Sequence, residues 1–198
     1  EMLLDAAKTA PVFFKDMSYY ILDRMKEDRA FSDRITHTFL IRDPAQSIVS
    51  YYKLDPEMTS EEIGLETQYR HFVWLSETYG VKPPVIEAAD IQVDTVGMIR
   101  AYSAAIGVEF LPHALEWGNE TPKDWQGVSG WHEDVMRAQG IRKESETTDG
   151  RSGEKPAVTL DSAPQLRAYY DHHKPYFDKL QQHKLRPVSQ SHEAVCEE

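Results

Sequence analysis

Three short runs of consecutive apolar residues recur along the chain, at residues 10–14, 36–41 and 83–88. Each is apolar at successive rather than alternating positions and is followed by a segment with helical spacing. Such runs are typical of strands that are buried on both faces of a parallel sheet. The intervening segments are long enough for crossover helices. The pattern therefore predicts an α/β fold in which the three runs are adjacent parallel strands.

Helical spacing and capping residues predict the elements between and after these strands. Asp43 is a natural N-cap, with Pro44 at the first helical position. Thr59 or Ser60 can cap the next helix, and glycines at positions 80 and 107 can end helices. The predicted helices span residues 18–31, 44–54, 59–80, 94–107 and 162–185, the last bent at Pro175.

The same pattern suggests how the chain is organised. Residues 1–185 are predicted to form one α/β domain, and residues 186–198 a frayed tail. Within the domain, residues 142–156 are polar, rich in glycine and aperiodic, so we expect a mobile loop or a lid there.

Charge and composition narrow the classes of function. The 198 residues include 33 acidic and 22 basic side chains, for a net charge of −11. Such a surface repels nucleic acid and anionic membranes, although a local basic pocket remains compatible with it. Cys196 is the single cysteine, which excludes an internal disulfide framework. Without a long apolar run or a signal-peptide pattern, we expect a cytoplasmic protein, whose first residue lies downstream of the natural start.

The stretch THTFLIRDPAQSIVSYYKL, residues 36–54, carries the clearest candidate chemistry. Arg42 stands at the carboxyl end of a predicted strand, where parallel α/β sheets bind ligands. The helix that opens at Asp43-Pro44 offers free backbone N–H groups, and Ser50 lies eight residues beyond the arginine. Together they form a candidate phosphate clamp. The alternative is that Arg42 pairs with Asp43 while Ser50 packs against the sheet.

The segment FLIRDPAQSIVSYYKL resembles the 3′-phosphate-binding segment of the sulfotransferases, which use 3′-phosphoadenosine-5′-phosphosulfate (PAPS). The resemblance implies a three-layer P-loop-type fold with a central parallel sheet flanked by helices. It also implies that Arg42 and Ser50 hold the 3′-phosphate of the cofactor.

The upstream stretch PVFFKDM extends the resemblance, because family members carry a strand that ends in lysine before this arginine. Lys15, 27 residues before Arg42, is then the candidate for stabilising charge at the transferred sulfonate. Many small-molecule sulfotransferases carry their general base, a histidine, two residues later, where this chain has Met17. Asp16 is the weakly favoured replacement. The alternatives are that Asp16 caps the next helix, or that a distant histidine such as His132 is the base.

The family's 5′-phosphosulfate loop is not recognisable in the sequence, and no GxxxxGK[ST] motif occurs. Two explanations stay open: the N-terminal strand and loop lie outside this chain, or the chain is a degenerate relative that cannot bind the 5′ end.

The resemblance implies in-line transfer of a sulfonate group from PAPS to a hydroxyl or amine of a small-molecule acceptor, without a metal. The histidines show no standard metal-ligand spacing. The alternative function is a non-catalytic, sulfotransferase-like binding or scaffold protein. The acceptor and the oligomeric state stay open.

Overall fold

The computed structural model describes residues 2–117, 138, 140, 141 and 158–188. His132, the predicted loop at 142–156 and all but the first three residues of the predicted tail lie outside this part. The helices are α1 (Met2–Ala6), α2 (Ser18–Glu27), α3 (Arg29–Ser32), α4 (Pro44–Leu54), α5 (Leu65–Tyr79), α6 (Ala88–Val93), α7 (Thr95–Ile106) and α8 (Pro164–Gln181). The strands are β1 (Phe39–Ile41) and β2 (Val85–Glu87), and short 3₁₀ turns span Glu61–Ile63 and Pro112–Leu115.

The two strands pair in parallel, with Phe39 opposite Val85 and Ile41 opposite Glu87. This confirms the predicted parallel pairing of the second and third apolar runs. On the other side of β2, Lys184 forms an isolated parallel bridge with Val85, and the Leu185 N–H donates to the Val85 carbonyl at 2.8 Å. The chain after α8 therefore returns along β2.

The first apolar run, residues 10–14, was predicted to be a strand, and this prediction is wrong for the described structure. Residues 11–17 have no regular secondary structure, and Phe13 is 78% exposed. An extended apolar segment becomes a strand only when its backbone groups pair with a neighbour, and no described strand lies against this one. The described part is thus a mixed, mainly helical fold with a two-stranded parallel sheet, smaller than the predicted central sheet.

The core forms where α5 and α8 cover the sheet, and α8 also covers α4. Its larger cluster unites Phe39, Ile41, Leu65, Phe72, Leu75, Val85, Phe177 and Leu180. A second cluster joins Ile48 of α4 to Ala163 and Leu166 beside and within α8. Because α8 contacts both clusters, it fixes α4 relative to the strand that precedes it.

Two predicted helices are divided in the structure. The helix expected over residues 59–80 is interrupted at Gly64, whose φ of 76° is a left-handed conformation that favours glycine. The helix expected over residues 18–31 breaks at Asp28, whose side chain accepts from the Phe31 N–H at 2.9 Å and starts α3. The helices predicted over 44–54 and 94–107 appear with their expected caps at Asp43, Asp94 and Gly107.

His71 of α5 is buried among aromatic rings and is only 2% exposed. Its ring lies 5.3 Å from the rings of both His37 and Phe39, and neither of its nitrogens has a hydrogen-bond partner among the described residues. Burial, with the charges of His37 and Lys26, lowers the pKa of His71 to about 4. Between about pH 4 and pH 6.5, the His71 ring is therefore mainly neutral in the folded protein and mainly protonated in the unfolded chain.

We expect this histidine to make the fold sensitive to mild acid. Above pH 6.5, His71 is mainly unprotonated in both the folded and the unfolded state. Below pH 6.5 it is protonated in the unfolded chain, whereas in the folded protein it becomes protonated only near pH 4. The free energy of unfolding should therefore fall by about 2 kcal/mol between pH 7 and pH 5 on this account. Urea unfolding at both pH values measures it.

His71→Leu, a substitution of similar volume, should remove most of that loss. The matched control is His113→Leu at an exposed histidine, which should leave the pH dependence unchanged. An equal pH dependence in His71→Leu and in the unsubstituted protein would contradict this assignment.

Candidate functional site

The junction between β1 and α4 follows from local sequence. Phe39 and Ile41 are buried in the core, and Pro44, also buried, opens α4 with its preset φ. Asp43 Oδ1 accepts from the Ala45 N–H at 2.9 Å and from the Gln46 N–H at 3.2 Å. The carboxylate therefore holds the first turn of the helix at the carboxyl end of the strand.

The start of α4 offers no free backbone donor, contrary to the expectation from sequence. Pro44 has no N–H, and the next two N–H groups donate to the Asp43 side chain. The Ser47 N–H donates to the Asp43 carbonyl at 3.0 Å. The first turn of α4 therefore leaves the binding of an anion here mainly to side chains.

Arg42 is exposed at the end of β1, and its Nε donates to Gln46 Oε1 at 3.3 Å. The alternative ion pair with Asp43 does not form among the described contacts, because that carboxylate caps the helix. Gln46 and Ser50 are four residues apart and so share one side of α4. Ser50 is half-buried, and its hydroxyl has no hydrogen-bond partner within the described part of the chain. Arg42, Gln46 and Ser50 thus follow one accessible side of α4, and Gln46 is the member that the sequence did not predict.

Lys15 and Asp16 lie in the irregular segment before α2, and both are exposed. The Asp16 carboxylate accepts from the Met17 N–H at 2.7 Å. Met17 is the N-cap residue of α2, and no side chain makes a cap hydrogen bond there. The helix-capping alternative for Asp16 is therefore not what the structure shows. The catalytic roles predicted for Lys15 and Asp16 stay predictions.

The first turn of α2 lies beside Gly64, at the end of the Glu61–Ile63 turn. The Tyr19 ring comes within 3.5 Å of where a β-carbon on Gly64 would stand. Burial above all, with Tyr20 and the charges around Tyr51 and Glu62, raises the pKa of Tyr19. Tyr51, the residue after Ser50, donates to Glu62 Oε1 at 3.3 Å. Tyr19, four residues after Lys15, and Tyr51 of α4 therefore both lie against the segment of residues 61–64.

The phenols in this region serve as donors rather than as bases. Burial and then the charge of Glu62 raise the pKa of Tyr51. The Thr59 N–H and hydroxyl, together with Tyr51, lower the pKa of Glu62. Near neutral pH the carboxylate is therefore ionised and the phenol protonated. The sequence contained the Tyr-Tyr pair but gave no sign that Glu62 would meet it.

A buried ion pair closes the end of β2. Glu87 is 6% exposed and accepts from Gln181 Nε2 at 3.1 Å and from Lys184 Nζ at 2.5 Å. Lys184 also pairs with Asp90 at 2.7 Å. Burial alone would lower the pKa of Lys184, but its bonds with Asp90 and Glu87 outweigh burial, so its pKa is raised. This network ties the end of α8 to the edge of the sheet from which Arg42 emerges.

An open cleft of about 480 Å³ lies at the opposite end of β2. Its lining includes Pro83, Pro84 and His183, so it adjoins the amino end of the strand. Parallel α/β sheets bind their ligands at the carboxyl ends. The cleft is therefore separate from the place where Arg42 and Ser50 lie.

The family model described as "Sulfotransferase domain" matches residues 2–170. The chain belongs to the sulfotransferase domain family. The match includes Lys15, Asp16, Arg42 and Ser50, and it confirms the family that the sequence resembles. No curated protein and no solved structure gives a significant match. The family assignment supports a transferase that moves sulfonyl groups.

Two further findings concern only the described part of this sulfotransferase domain. No described helix is both long and apolar enough to span a membrane. No group of three or more histidine, cysteine, aspartate or glutamate side chains there is arranged to hold a metal ion.

The cap that the Asp43 side chain provides at the start of α4 gives a testable stability prediction. Asparagine caps helices as well as aspartate does, whereas alanine cannot accept the two N–H groups. Asp43→Asn should therefore leave the free energy of unfolding nearly unchanged, and Asp43→Ala should lower it by about 1 kcal/mol. Urea unfolding of both variants measures this difference, and equal losses would show that the carboxylate charge, rather than the cap, stabilises the junction.

Proposed function

We propose that this sulfotransferase domain takes part in transfer of a sulfonate group from PAPS to a hydroxyl or amine of a small-molecule acceptor. The observation that carries the proposal is the alignment of Arg42, Gln46 and Ser50 along one accessible side of α4, at the carboxyl end of β1. It occurs in a chain whose family moves sulfonyl groups.

In this proposal, Arg42 recognises the 3′-phosphate. Its guanidinium can offer a bidentate fork, which suits a phosphate better than a single ammonium does. A neutral partner, Gln46, holds Arg42 by one long hydrogen bond of 3.3 Å, and Asp43 is engaged with the helix. Arg42 can therefore turn toward a phosphate without breaking an ion pair. The Ser50 hydroxyl supplies a further donor on the same side of α4.

Lys15 and Asp16 take the catalytic roles in the proposal. The acceptor oxygen or nitrogen attacks sulfur in line as the bond from sulfur to the bridging phosphate oxygen breaks. Lys15 stabilises the charge that develops on that oxygen, and Asp16 receives the proton that the acceptor loses. Both side chains are exposed just before the first turn of α2, whose Tyr19 contacts the Gly64 that follows the turn bonded to Tyr51 of α4. The bisphosphate product leaves from the site that holds its 3′ end.

The first test compares two nucleotides that differ only in the 3′-phosphate. Arg42→Ala should weaken binding of adenosine-3′,5′-bisphosphate by on the order of 2 kcal/mol, about thirtyfold, because a charge-assisted bidentate contact is lost. Binding of adenosine-5′-phosphate should change little. Ser50→Ala should act in the same direction but less, since it removes one neutral donor. Titration calorimetry measures the affinity of the unsubstituted protein and of both variants for each nucleotide.

Equal losses for both nucleotides would show that Arg42 does not recognise the 3′-phosphate. Selective binding of the bisphosphate without any transfer from labelled PAPS in the natural protein would instead favour a non-catalytic binding role.

The second test addresses catalysis. In the natural protein, Lys15→Met should lower kcat by about 100-fold or more while barely changing the affinity for PAPS, because the contact is made mainly in the transition state. Single-turnover transfer of labelled sulfonate gives the rate, and calorimetry gives the affinity. Lys8→Met, at another exposed lysine of the same region, is the control and should retain full activity. A loss of affinity for PAPS with unchanged kcat would show that Lys15 binds the cofactor and does not act in catalysis.

A further inference from the structure

The proposed phosphate site lacks positive charge in the residues considered so far. Arg42 contributes one cation, but the Asp43 carboxylate next to it cancels that charge. The first N–H groups of α4 are bonded to Asp43, so the helix supplies no donors to compensate. A phosphate monoester carries between one and two negative charges near neutral pH. In a chain of net charge −11, a second cation near Arg42 would strengthen the binding of such a group.

Helix α8 presents two different flanks on either side of its buried face. One flank contacts α5: His172 Nε2 lies 2.8 Å from Glu66 Oε2, and the Lys179 ammonium lies 4.9 Å from the centre of the Tyr69 ring. The other flank carries Lys174, Asp178 and Gln181, at spacings that align side chains along a helix.

The second flank faces the ligand-binding edge of the sheet. Gln181 donates to Glu87 at the end of β2, and Glu87 stands opposite Ile41, the residue before Arg42. Two turns earlier on the same flank lies Lys174. Since α8 packs on α4 through Leu166 and Ile48, this flank runs from the end of β2 toward α4.

Lys174 is 36% exposed, and its Nζ donates to Asp178 Oδ1 at 2.5 Å, one turn further along α8. The bond to Asp178 raises the pKa of Lys174 against the effect of burial, and the charges of Asp178, Tyr170 and Asp43 add to it. The side chain is therefore cationic, and Asp43, the N-cap of α4, is among the carboxylates that act on it.

We propose that Lys174 is the second cation of the 3′-phosphate site, carried on the flank of α8 that leads from the end of β2 to α4. The inference rests on the proposed function and names a binding residue beyond residue 170, where the family match ends. In the free protein Lys174 rests on Asp178. When the phosphate enters, Lys174 turns to it and offsets the charge of Asp43.

The test uses substitutions on the two flanks of one helix. Lys174→Gln removes the proposed cation, Lys174→Arg keeps it, and Lys179→Gln makes the same change of charge on the flank that faces α5. Calorimetry measures binding of adenosine-3′,5′-bisphosphate and of adenosine-5′-phosphate. Lys174→Gln should weaken binding of the bisphosphate by about five- to tenfold and leave the affinity for adenosine-5′-phosphate unchanged. The affinities of Lys174→Arg and Lys179→Gln for the bisphosphate should both stay within about twofold of that of the unsubstituted protein.

Asp178→Asn supplies an independent readout, because it frees Lys174 without removing it. This variant should bind the bisphosphate more tightly than the unsubstituted protein, and the gain should vanish in the double variant with Lys174→Gln. Equal effects of Lys174→Gln and Lys179→Gln would overturn the inference.

Arg42→Ala separates this inference from the proposed function. If Arg42→Ala loses selectivity for the bisphosphate and Lys174→Gln does not, the inference about Lys174 is wrong while the proposed function stands. If the unsubstituted protein does not prefer the bisphosphate, both are wrong.

Discussion

The packing of α8 across α4 and the sheet is the constraint on which the candidate site depends. Leu166 of α8 meets Ile48 of α4 with both side chains fully buried, and Phe177 and Leu180 cover the strands. Burying side chains of this size contributes roughly 1.5–3 kcal/mol each. Two strands of three residues could not be held in position by their own hydrogen bonds. The helix therefore determines where the end of β1, and Arg42 with it, stands relative to α4.

Charge distribution decides how such a site could bind an anion. Glu87 is neutralised by Lys184 at the end of β2, and Asp43 is engaged with backbone N–H groups at the end of β1. Both carboxylates at the ligand-binding edge are thus occupied by structural contacts. What remains accessible is a guanidinium held by a neutral amide and a hydroxyl without a described partner. An acidic chain can in this way keep a small local region suited to phosphate.

The sequence predicted best where the signal was local. Asp43-Pro44 and the Asp94–Gly107 pair fixed the ends of two helices, because caps act within one turn. Gly64 was read as part of a continuous helix, since apolar spacing alone does not show a left-handed residue. The prediction of a strand at residues 10–14 was wrong because a strand depends on a neighbour rather than on its own composition. Gln46 was not predicted, although it lies one helical turn before Ser50. The role proposed for Lys174 depends on how α8 packs against α4, which no spacing along the chain encodes.

The most direct test of the account is a crystal structure of the natural protein with adenosine-3′,5′-bisphosphate. The account predicts the 3′-phosphate within hydrogen-bonding distance of the Arg42 guanidinium and the Ser50 hydroxyl, at the carboxyl end of β1. The guanidinium should have left Gln46, while Asp43 still caps α4. A 3′-phosphate bound elsewhere, for example in the cleft beside Pro84 and His183, with Arg42 still on Gln46, would contradict it.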